Sequence, residues 1–442
     1  MSPGTSDEPA GTGVVSVALR LGMLAGPTVF GVTSAGVALP HVAAALHTSL
    51  GTVVWVLTAH AFGLGVGTAV AGRIADARGV RTALLAGTVA VCAGTVVCLL
   101  APGLAALVGG RLLLAAGSGA MLASAVTLLA GVQPAQRPRV LAGYGMVLAT
   151  FAAVATLVGG LVTAWLSWRL TLVLPVLSVA AVPFCRVPER RAASRSPLDG
   201  PGAAVLTIAV GALVLLVQAR ALHLRLPAVI TLAAALAVAT AVLVWWAIRH
   251  PHGFLPRSVV ADGTFWTTVV VGVGVVGGLF ATMYSVPQIL ARVHGWGAFT
   301  IGAALLPGAA VGAALSRAAG ILAERARRRV LVAIAVTSAA GLSAAAGGAA
   351  WAAVIAASLA LATFAVAQVV LTGIMAARLP LPVRGSGLGL LNLFFFVGGA
   401  AGSALAGALT AASGLARPLL AIAAFPLVAA VLAATRLPRS AG

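Results

Sequence analysis

The sequence contains little charge and no lysine. Charged residues make up 8% of its 442 residues, with seven acidic side chains against 27 basic ones, all of them arginine. A soluble globular protein carries about 25% charged residues, so this composition excludes a soluble enzyme, a secreted disulfide scaffold and a disordered chain. Cys92, Cys98 and Cys185 lack metal-ligand spacing and an evident disulfide role, and we expect neither a metal nor a cofactor.

Long apolar runs take the place of charge. Apolar residues make up 61% of the chain, and the mean hydropathy is +1.12. The run 82–136 carries one charge, Arg111. As a single helix it would be about 80 Å long, so it must cross a hydrocarbon core of about 30 Å twice. We predict an all-α polytopic membrane protein with fourteen helices, at about 14–39, 51–72, two within 82–136, 140–163, 168–185, 201–219, 226–248, 264–291, 298–321, two within 330–377, 386–411 and 418–435.

The arginines indicate the orientation of these helices. Alternating helices place twenty arginines on one side of the membrane and five on the other, while Arg111 and Arg317 fall inside helices. Cytoplasmic loops carry the excess of positive charge in membrane proteins. We therefore expect both termini in the cytoplasm, and we read the net charge of +20 as topological, with no nucleic-acid partner.

An internal repeat divides the chain into equivalent halves. A glycine, an acid and an arginine recur at equal offsets in the loops after the second and tenth helices. The predicted units are a cytoplasmic tail (1–13), a six-helix bundle (14–186), a loop with two inserted helices (187–262), a second six-helix bundle (263–436) and a tail (437–442). We expect the repeated loops to hold the bundles together on the cytoplasmic side, unless they are ordinary topogenic charge, and their candidate gating residues are Gly72, Asp76, Gly79, Arg81, Gly320, Glu324 and Arg329.

Several short motifs resemble those of one family. Segment 72–81 looks like the signature loop of the major facilitator superfamily, and the six-two-six arrangement resembles its fourteen-helix drug:proton antiporters. Other segments that resemble the family are Val37–Pro40, Trp55–Ala59, Arg111 with Gly117 and Gly119, Gly159–Gly160, Trp168–Arg169, Leu306–Pro307, Leu391–Asn392 and Gly398–Gly402. The resemblance covers nearly the whole chain and implies the major facilitator fold in a bacterial inner (plasma) membrane, as a monomer.

Seven residues at four sites depart from the family pattern. The first helix usually carries an Asp where this chain has Gly31, and the fifth carries Gly-Pro where it has Ala155-Thr156. Leu114-Ala115 replace a Gln-Gly pair, and Phe395-Phe396 replace Arg-Gln. Each change removes a polar group or a backbone kink from the pathway, so proton coupling stays open.

Few polar side chains are predicted within the membrane. All seven acidic residues fall in the N-terminal tail or in loops predicted to be cytoplasmic. Arg111 either snorkels to the interface or is a hydrogen-bonding hub or anchor for an anionic or carbonyl-bearing substrate. His60 is either a neutral core histidine or a proton carrier that replaces the missing carboxylate. The other candidates for the substrate pathway, or else for helix–helix hydrogen bonds, are Tyr144, Tyr284, Gln288 and Asn392.

The predicted function is secondary transport rather than catalysis. We expect export of small amphipathic compounds, neutral or anionic, such as an antibiotic, drug or secondary metabolite, by alternating access between the bundles. The partners would be this substrate, the lipid bilayer and, if transport is coupled, protons. Two alternatives stay open: a metabolite carrier without proton coupling, and a non-transporting sensor or scaffold on the same fold.

Overall fold

The computed structural model describes residues 10–133, 135–185, 199–219, 224–250, 253–379 and 381–437. Thirteen of the described helices are long and apolar enough to cross a membrane, and a shorter apolar helix lies at 168–184. We number the fourteen segments α1 (Ala10–Ala25, Gly26–Gly31 and Thr33–Ala45), α2 (Trp55–Arg78), α3 (Val80–Leu100), α4 (Leu104–Ala130), α5 (Arg137–Trp165), α6 (Trp168–Val173 and Leu174–Phe184), α7 (Gly200–Val217), α8 (Leu226–Arg249), α9 (Gly263–Arg292), α10 (Ala298–Ile321), α11 (Glu324–Ala345), α12 (Ala350–Arg378), α13 (Leu381–Ser413) and α14 (Pro418–Ile422 and Ala424–Thr435).

The short segment α6 is longer than its residue count suggests because most of it is 3-10 helix. A six-residue α-helix is followed by an 11-residue 3-10 helix that contains Pro175 and Pro183. Proline lacks the N–H that an α-helix needs, whereas a 3-10 helix rises about 2.0 Å per residue instead of 1.5 Å. The segment is therefore about 31 Å long, close to the thickness of the hydrocarbon core. The prediction of an all-α membrane protein is confirmed, with thirteen described helices long enough to cross a membrane and this shorter segment at the place of the predicted sixth helix.

The two repeated segments lie mostly within helices. The loops predicted there were therefore too long. Helix α2 continues to Arg78, and the chain reverses at Gly79 before α3 begins at Val80. Gly79 has φ of 91°, a left-handed value that glycine adopts without a steric penalty. In the second copy, α10 ends at Ile321 and α11 begins at Glu324. The Ala and Arg residues of both segments are good helix formers, so they extend the helices into the interface.

Helix alternation gives the molecule two ends, which we call the His47 end and the Gly79 end. Helices α1 to α6 form an N-terminal bundle and α9 to α14 a C-terminal bundle. Within them, α2 and α3 pack on α4, α1 packs on α5, and α9 packs on α13. The exact domain boundaries stay predictions, and residues 187–198, at the predicted boundary after the first bundle, lie outside the described residues.

The bundles contact each other most closely toward the His47 end, and the contact of α2 with α13 continues at longer distance to Ala69 and Gly389 in the other half. Gly36 of α1 packs directly against the backbone of Met283 in α9, and Gly160 of α5 packs against Ala298 in α10. Trp165 and Phe299 stack across the second contact with ring centroids 5.6 Å apart. The first helix of α1, Ala10–Ala25, packs instead within its own bundle on α5. The structure is therefore closed between the bundles toward the His47 end.

The inserted helices are tied to the start of the C-terminal bundle by one carboxylate. Asp199 caps α7 by accepting the N–H of Gly202 at 2.9 Å. Its two oxygens also accept the indole N–H of Trp246 in α8, at 2.9 and 3.0 Å, and the N–H of Phe254 at 2.7 Å. Asp199 thus joins α7, α8 and the segment that leads to α9.

Replacement of Asp199 should loosen this junction. Asp199→Ala removes an N-cap worth about 1 kcal/mol and further charge-assisted hydrogen bonds worth about 1.5 kcal/mol or more each. We expect a loss of at least about 2 kcal/mol, seen as a lower melting temperature of the purified protein in detergent. Asp262→Ala removes the N-cap of α9 and a half-exposed ion pair with Arg378, and it serves as the matched control with a smaller expected loss, because exposed ion pairs contribute little. Equal melting temperatures for the two variants would contradict the role of Asp199.

Candidate functional site

Arg111 lies inside the N-terminal bundle, the eighth residue from the His47 end of α4, and is fully buried. Its Nε donates to the carbonyl of Val56 in α2 at 3.4 Å, and Nη1 donates to that of Leu172 in α6 at 2.6 Å. Its Nη2 donates to the carbonyl of Gly31, the last residue of the 3-10 turn in α1. The alternative that Arg111 snorkels to the interface therefore does not describe this structure, in which one guanidinium joins three helices.

Two of the carbonyls that accept hydrogen bonds from Arg111 lie where the helix is irregular. Leu172 lies at the end of the α-helical part of α6, directly before the 3-10 part, and Pro175, three residues further on, has no N–H to donate to its carbonyl. Gly31 lies where α1 changes from 3-10 to α-helix. Hydrogen bonds to a charged group are worth about 1.5–3 kcal/mol each, so three of them offset an insertion cost of about 3 kcal/mol for a membrane arginine.

His60 lies beside the same turn of α1. Its side chain is fully buried, and neither ring nitrogen has a hydrogen-bond partner among the described residues. A Cβ atom added to Gly31 would lie 2.0 Å from Nε2 of His60, so the imidazole occupies the space of a side chain at position 31. Gly31 thus meets Arg111 through its carbonyl and His60 through its Cα, and the three form what we call the Gly31 centre.

Both ring nitrogens of His60 are buried polar atoms without a hydrogen-bond partner among the described residues, and such atoms are often functional. One buried donor or acceptor without a partner costs about 1–3 kcal/mol, and native proteins keep few of them. In the neutral imidazole of His60, one ring nitrogen is a donor and the other an acceptor, and both are available here. The Gly31 centre can therefore offer a hydrogen bond, or exchange a proton, when the helices around it move.

The Ala155-Thr156 pair, which replaces the family's Gly-Pro, lies where three helices meet. Ser34 of α1 donates to the carbonyl of Ala155 at 2.5 Å. The backbone of Thr156 packs against Gly302 of α10, and its buried hydroxyl has no hydrogen-bond partner among the described residues. The departure therefore adds a hydroxyl at a contact between the bundles.

The other predicted pathway residues are distributed over the molecule. Tyr284 and Gln288 are fully buried one turn apart on α9, and Gln288 accepts a hydrogen bond from Arg292 at 3.2 Å. Tyr144 packs in the apolar core of the N-terminal bundle between α1 and α5. Asn392 donates to the carbonyl of Leu388 in its own helix at 3.0 Å. The structure brings Arg111 and His60 together, and a shared substrate pathway for the other four stays a prediction.

The predicted gating residues lie at the Gly79 end. Asp76 is in the last turn of α2, and its side chain lies outside the described residues; Gly72 precedes it by one turn. Glu324 is exposed in the first turn of α11, where a carboxylate is favourable to the helix dipole. Arg81 and Arg329 are exposed, while Gly320 is in the last turn of α10. Their contribution to gating stays a prediction.

A salt bridge that the sequence did not predict lies at the same end. Nε of Arg378 in α12 donates to Oδ2 of Asp262 at 2.8 Å, the one ion pair found among the described residues. Burial raises the pKa of Asp262, but hydrogen bonds from Arg378 and from the N–H of Thr264 outweigh burial and hold the pKa below its usual value. The stabilisation is therefore present at neutral pH and is lost only as the pH falls through this lowered pKa.

Sequence reasoning also missed a buried polar contact between the bundles. Oγ1 of Thr58 in α2 lies 2.9 Å from Oγ of Ser403 in α13, and Nε2 of Gln218, at the end of α7, donates to the same Thr58 oxygen at 3.4 Å. All three side chains are fully buried. A lone Gln directly after the apolar run of α7 was the available signal.

Two similarities to known proteins accompany this geometry. Residues 21–326 match the Major Facilitator Superfamily. The Puromycin resistance protein pur8 of Streptomyces alboniger is 30% identical to the chain over 332 residues. That alignment covers 70% of this chain and 63% of the relative, so the chain spans less than two thirds of the length of that protein.

The contact between Gly31 and His60 can be tested by paired substitution. Gly31→Ala places a methyl group inside the imidazole volume, so we expect a loss of folded protein, measured by size-exclusion chromatography in detergent. Adding His60→Ala frees that space and should restore the yield. His60→Ala alone should fold. Equal yields for Gly31→Ala with and without the second change would contradict the contact.

Proposed function

The chain belongs to the major facilitator superfamily, and we propose that it exports small amphipathic compounds, neutral or anionic, across the plasma membrane of a bacterium. Members of this family are transporters and not enzymes, so the chain is a multi-pass membrane transporter of a small molecule. Similarity to a puromycin resistance protein favours export of an antibiotic or drug over uptake of a nutrient. We propose that the protein works as a monomer by alternating access.

The distribution of arginine supports a cytoplasmic location for the Gly79 end. Among the described residues, arginines are frequent at the helix ends there, whereas the His47 end carries four, Arg169, Arg225, Arg292 and Arg417. Positive charge marks the cytoplasmic side of membrane proteins. With this orientation, the contacts at the His47 end close the bundles toward the outside, as they must be closed while an exporter takes up its cargo from the cytoplasm.

The placement of carboxylates supports the proposed substrate class, and it is the observation on which that class rests. In the described chain, Asp199, Asp262 and Glu324 lie at helix N-termini, and Asp76 lies in the last turn of α2. None of them is at mid-membrane depth. A permanent cation would lose its hydration there without a compensating charge, close to the buried guanidinium of Arg111. Neutral or anionic compounds avoid this cost.

If transport is coupled to protons, His60 is our candidate carrier. It is fully buried in α2, and both of its ring nitrogens lack partners among the described residues. The guanidinium of Arg111 keeps its proton at physiological pH. Tyr144 and Tyr284 titrate near pH 10 in reference peptides, too high for exchange near neutral pH.

Expression in a pump-deficient bacterial host tests the substrate class. We expect severalfold higher resistance to at least one neutral or anionic amphipathic antibiotic in a panel that includes puromycin, and no change for ethidium, a permanent cation. Asp76→Asn, a change in the predicted gating segment, should abolish the resistance at equal membrane abundance. Robust efflux of ethidium would refute the substrate class, and unchanged susceptibility to the whole panel would favour the sensor or scaffold.

Inverted vesicles test the coupling. Inverted vesicles that carry wild-type protein should take up a compound from that panel faster when the vesicle lumen is made more acidic than the medium. His60→Ala should remove this dependence while exchange of the compound is retained. The matched control is His41→Ala, because His41 is a histidine of α1 that does not belong to the Gly31 centre. Full gradient-driven uptake by His60→Ala would exclude His60 as the carrier, and a wild-type rate independent of the gradient would favour the uncoupled metabolite carrier.

A further inference from the structure

We propose that Gln218 of the inserted helix α7 is a positioning residue that holds α2 against α13 and stabilises the closed state of the His47 end. This inference rests on the proposed alternating access, because it requires that the same contact opens during transport. Neither the family match nor the similarity to the puromycin resistance protein assigns a role to this residue.

The three polar side chains form a directed chain of hydrogen bonds. The amide of Gln218 donates to Oγ1 of Thr58 at 3.4 Å, and the two hydroxyls of Thr58 and Ser403 lie 2.9 Å apart. The hydroxyl of Ser403 also lies 3.1 Å from the carbonyl of Ala400, in its own helix. If Ser403 donates to that carbonyl, Thr58 donates to Ser403 and accepts from Gln218, so each hydroxyl has a donor and an acceptor role. Such chains polarise and strengthen one another in a low-dielectric interior.

The position of this chain couples it to the closed state. Around it, Val54, the residue before α2, packs against Gly407 of α13, and Gly51, in the short helix Leu50–Val53, packs against Ala411 nearer the His47 end. Helices α2 and α13 belong to different bundles, so separation of the bundles at this end must break the bond between Thr58 and Ser403. Gln218 comes from a third element, α7, which packs on both helices. The inserted helix therefore contacts the seam that opens, in addition to facing the bilayer.

Val54 offers a reporter for this opening. It is fully buried against Gly407 in the closed state. In a background with Cys92, Cys98 and Cys185 replaced by Ala, the thiol of a Val54→Cys variant should react with a hydrophilic maleimide only while the seam is open. A second pair of cysteines serves as a control for this reporter: a Cβ atom at Gly51 would lie 3.2 Å from that of Ala411, so a small separation of the two helices brings the pair to the Cβ spacing of a disulfide, about 3.5–4.5 Å. Oxidised Gly51→Cys/Ala411→Cys, added to the reporter, should abolish labelling.

Gln218→Met keeps the side-chain volume and removes the donor. An interhelical hydrogen bond in a membrane protein is worth about 0.6 kcal/mol, which corresponds to an increase of about threefold in the open population and in the labelling rate. Gln368→Met, on α12 toward the Gly79 end, is the matched control and should leave the rate unchanged. In a Thr58→Val background, Gln218→Met should have no further effect, because its partner is gone.

Two results would overturn the proposal. One is an unchanged labelling rate for Gln218→Met in protein that elutes as a single folded species. The other is an effect of Gln218→Met that persists in the Thr58→Val background. The measurement needs no substrate, so it separates this proposal from the proposed function. If Gln218→Met changes the labelling rate but the protein exports nothing, the role of Gln218 is supported and the proposed export is refuted. If the protein exports but the labelling rate is unchanged, export is supported and the role of Gln218 is refuted.

Discussion

The N-terminal bundle depends on the hydrogen bonds that the buried guanidinium of Arg111 donates to three backbone carbonyls. A charge inside a membrane protein is tolerated only when protein groups replace its hydration, and here the carbonyls of Gly31, Val56 and Leu172 do so. Two of these carbonyls lie where a helix departs from α geometry. The breaks in α1 and α6 and the buried charge in α4 therefore stabilise one another, and a regular helix at either break would leave the arginine short of acceptors.

The scarcity of charge elsewhere has a consequence for motion. Among the described residues, the bundles meet toward the His47 end through small residues, stacked aromatic rings and a few hydroxyls. Each interhelical hydrogen bond of this kind is worth only about 0.6 kcal/mol in a membrane. A seam held by many weak contacts can open without breaking a buried ion pair, whose loss would cost about 3–5 kcal/mol. The one ion pair of the described chain, Asp262–Arg378, lies within a single bundle.

The fold was predictable because its signals are one-dimensional. Hydrophobic run lengths predicted the helices, including the two within the run 82–136, which the structure separates at residues 101–103. Helix boundaries were less accurate near the signature segment, where the charges suggested a loop but Ala and Arg continue the helix to Arg78. The site was only partly predictable. Arg111 and His60 stood out as ionisable groups in apolar runs, whereas the carbonyls that Arg111 binds and the partner of Gln218 depend on distances between helices, which no local pattern encodes.

The exchange of groups at position 31 limits what kind of coupling the chain can perform. The family pattern has a carboxylate there, whose charge alternates between −1 and 0; in this chain the imidazole of His60 occupies that space, and its charge would alternate between 0 and +1. Beside Arg111, the Gly31 centre is then never negative.

An exporter driven by proton entry requires that cargo and proton compete. A protonated imidazole would attract an anion instead of competing with it, so an anionic cargo would travel in the same direction as the proton. A neutral cargo that hydrogen-bonds the uncharged ring does compete, because protonation removes the acceptor nitrogen that it uses. Proton-driven export through His60 therefore favours the neutral half of the proposed substrate class, and export of anions by this chain would require another driving force.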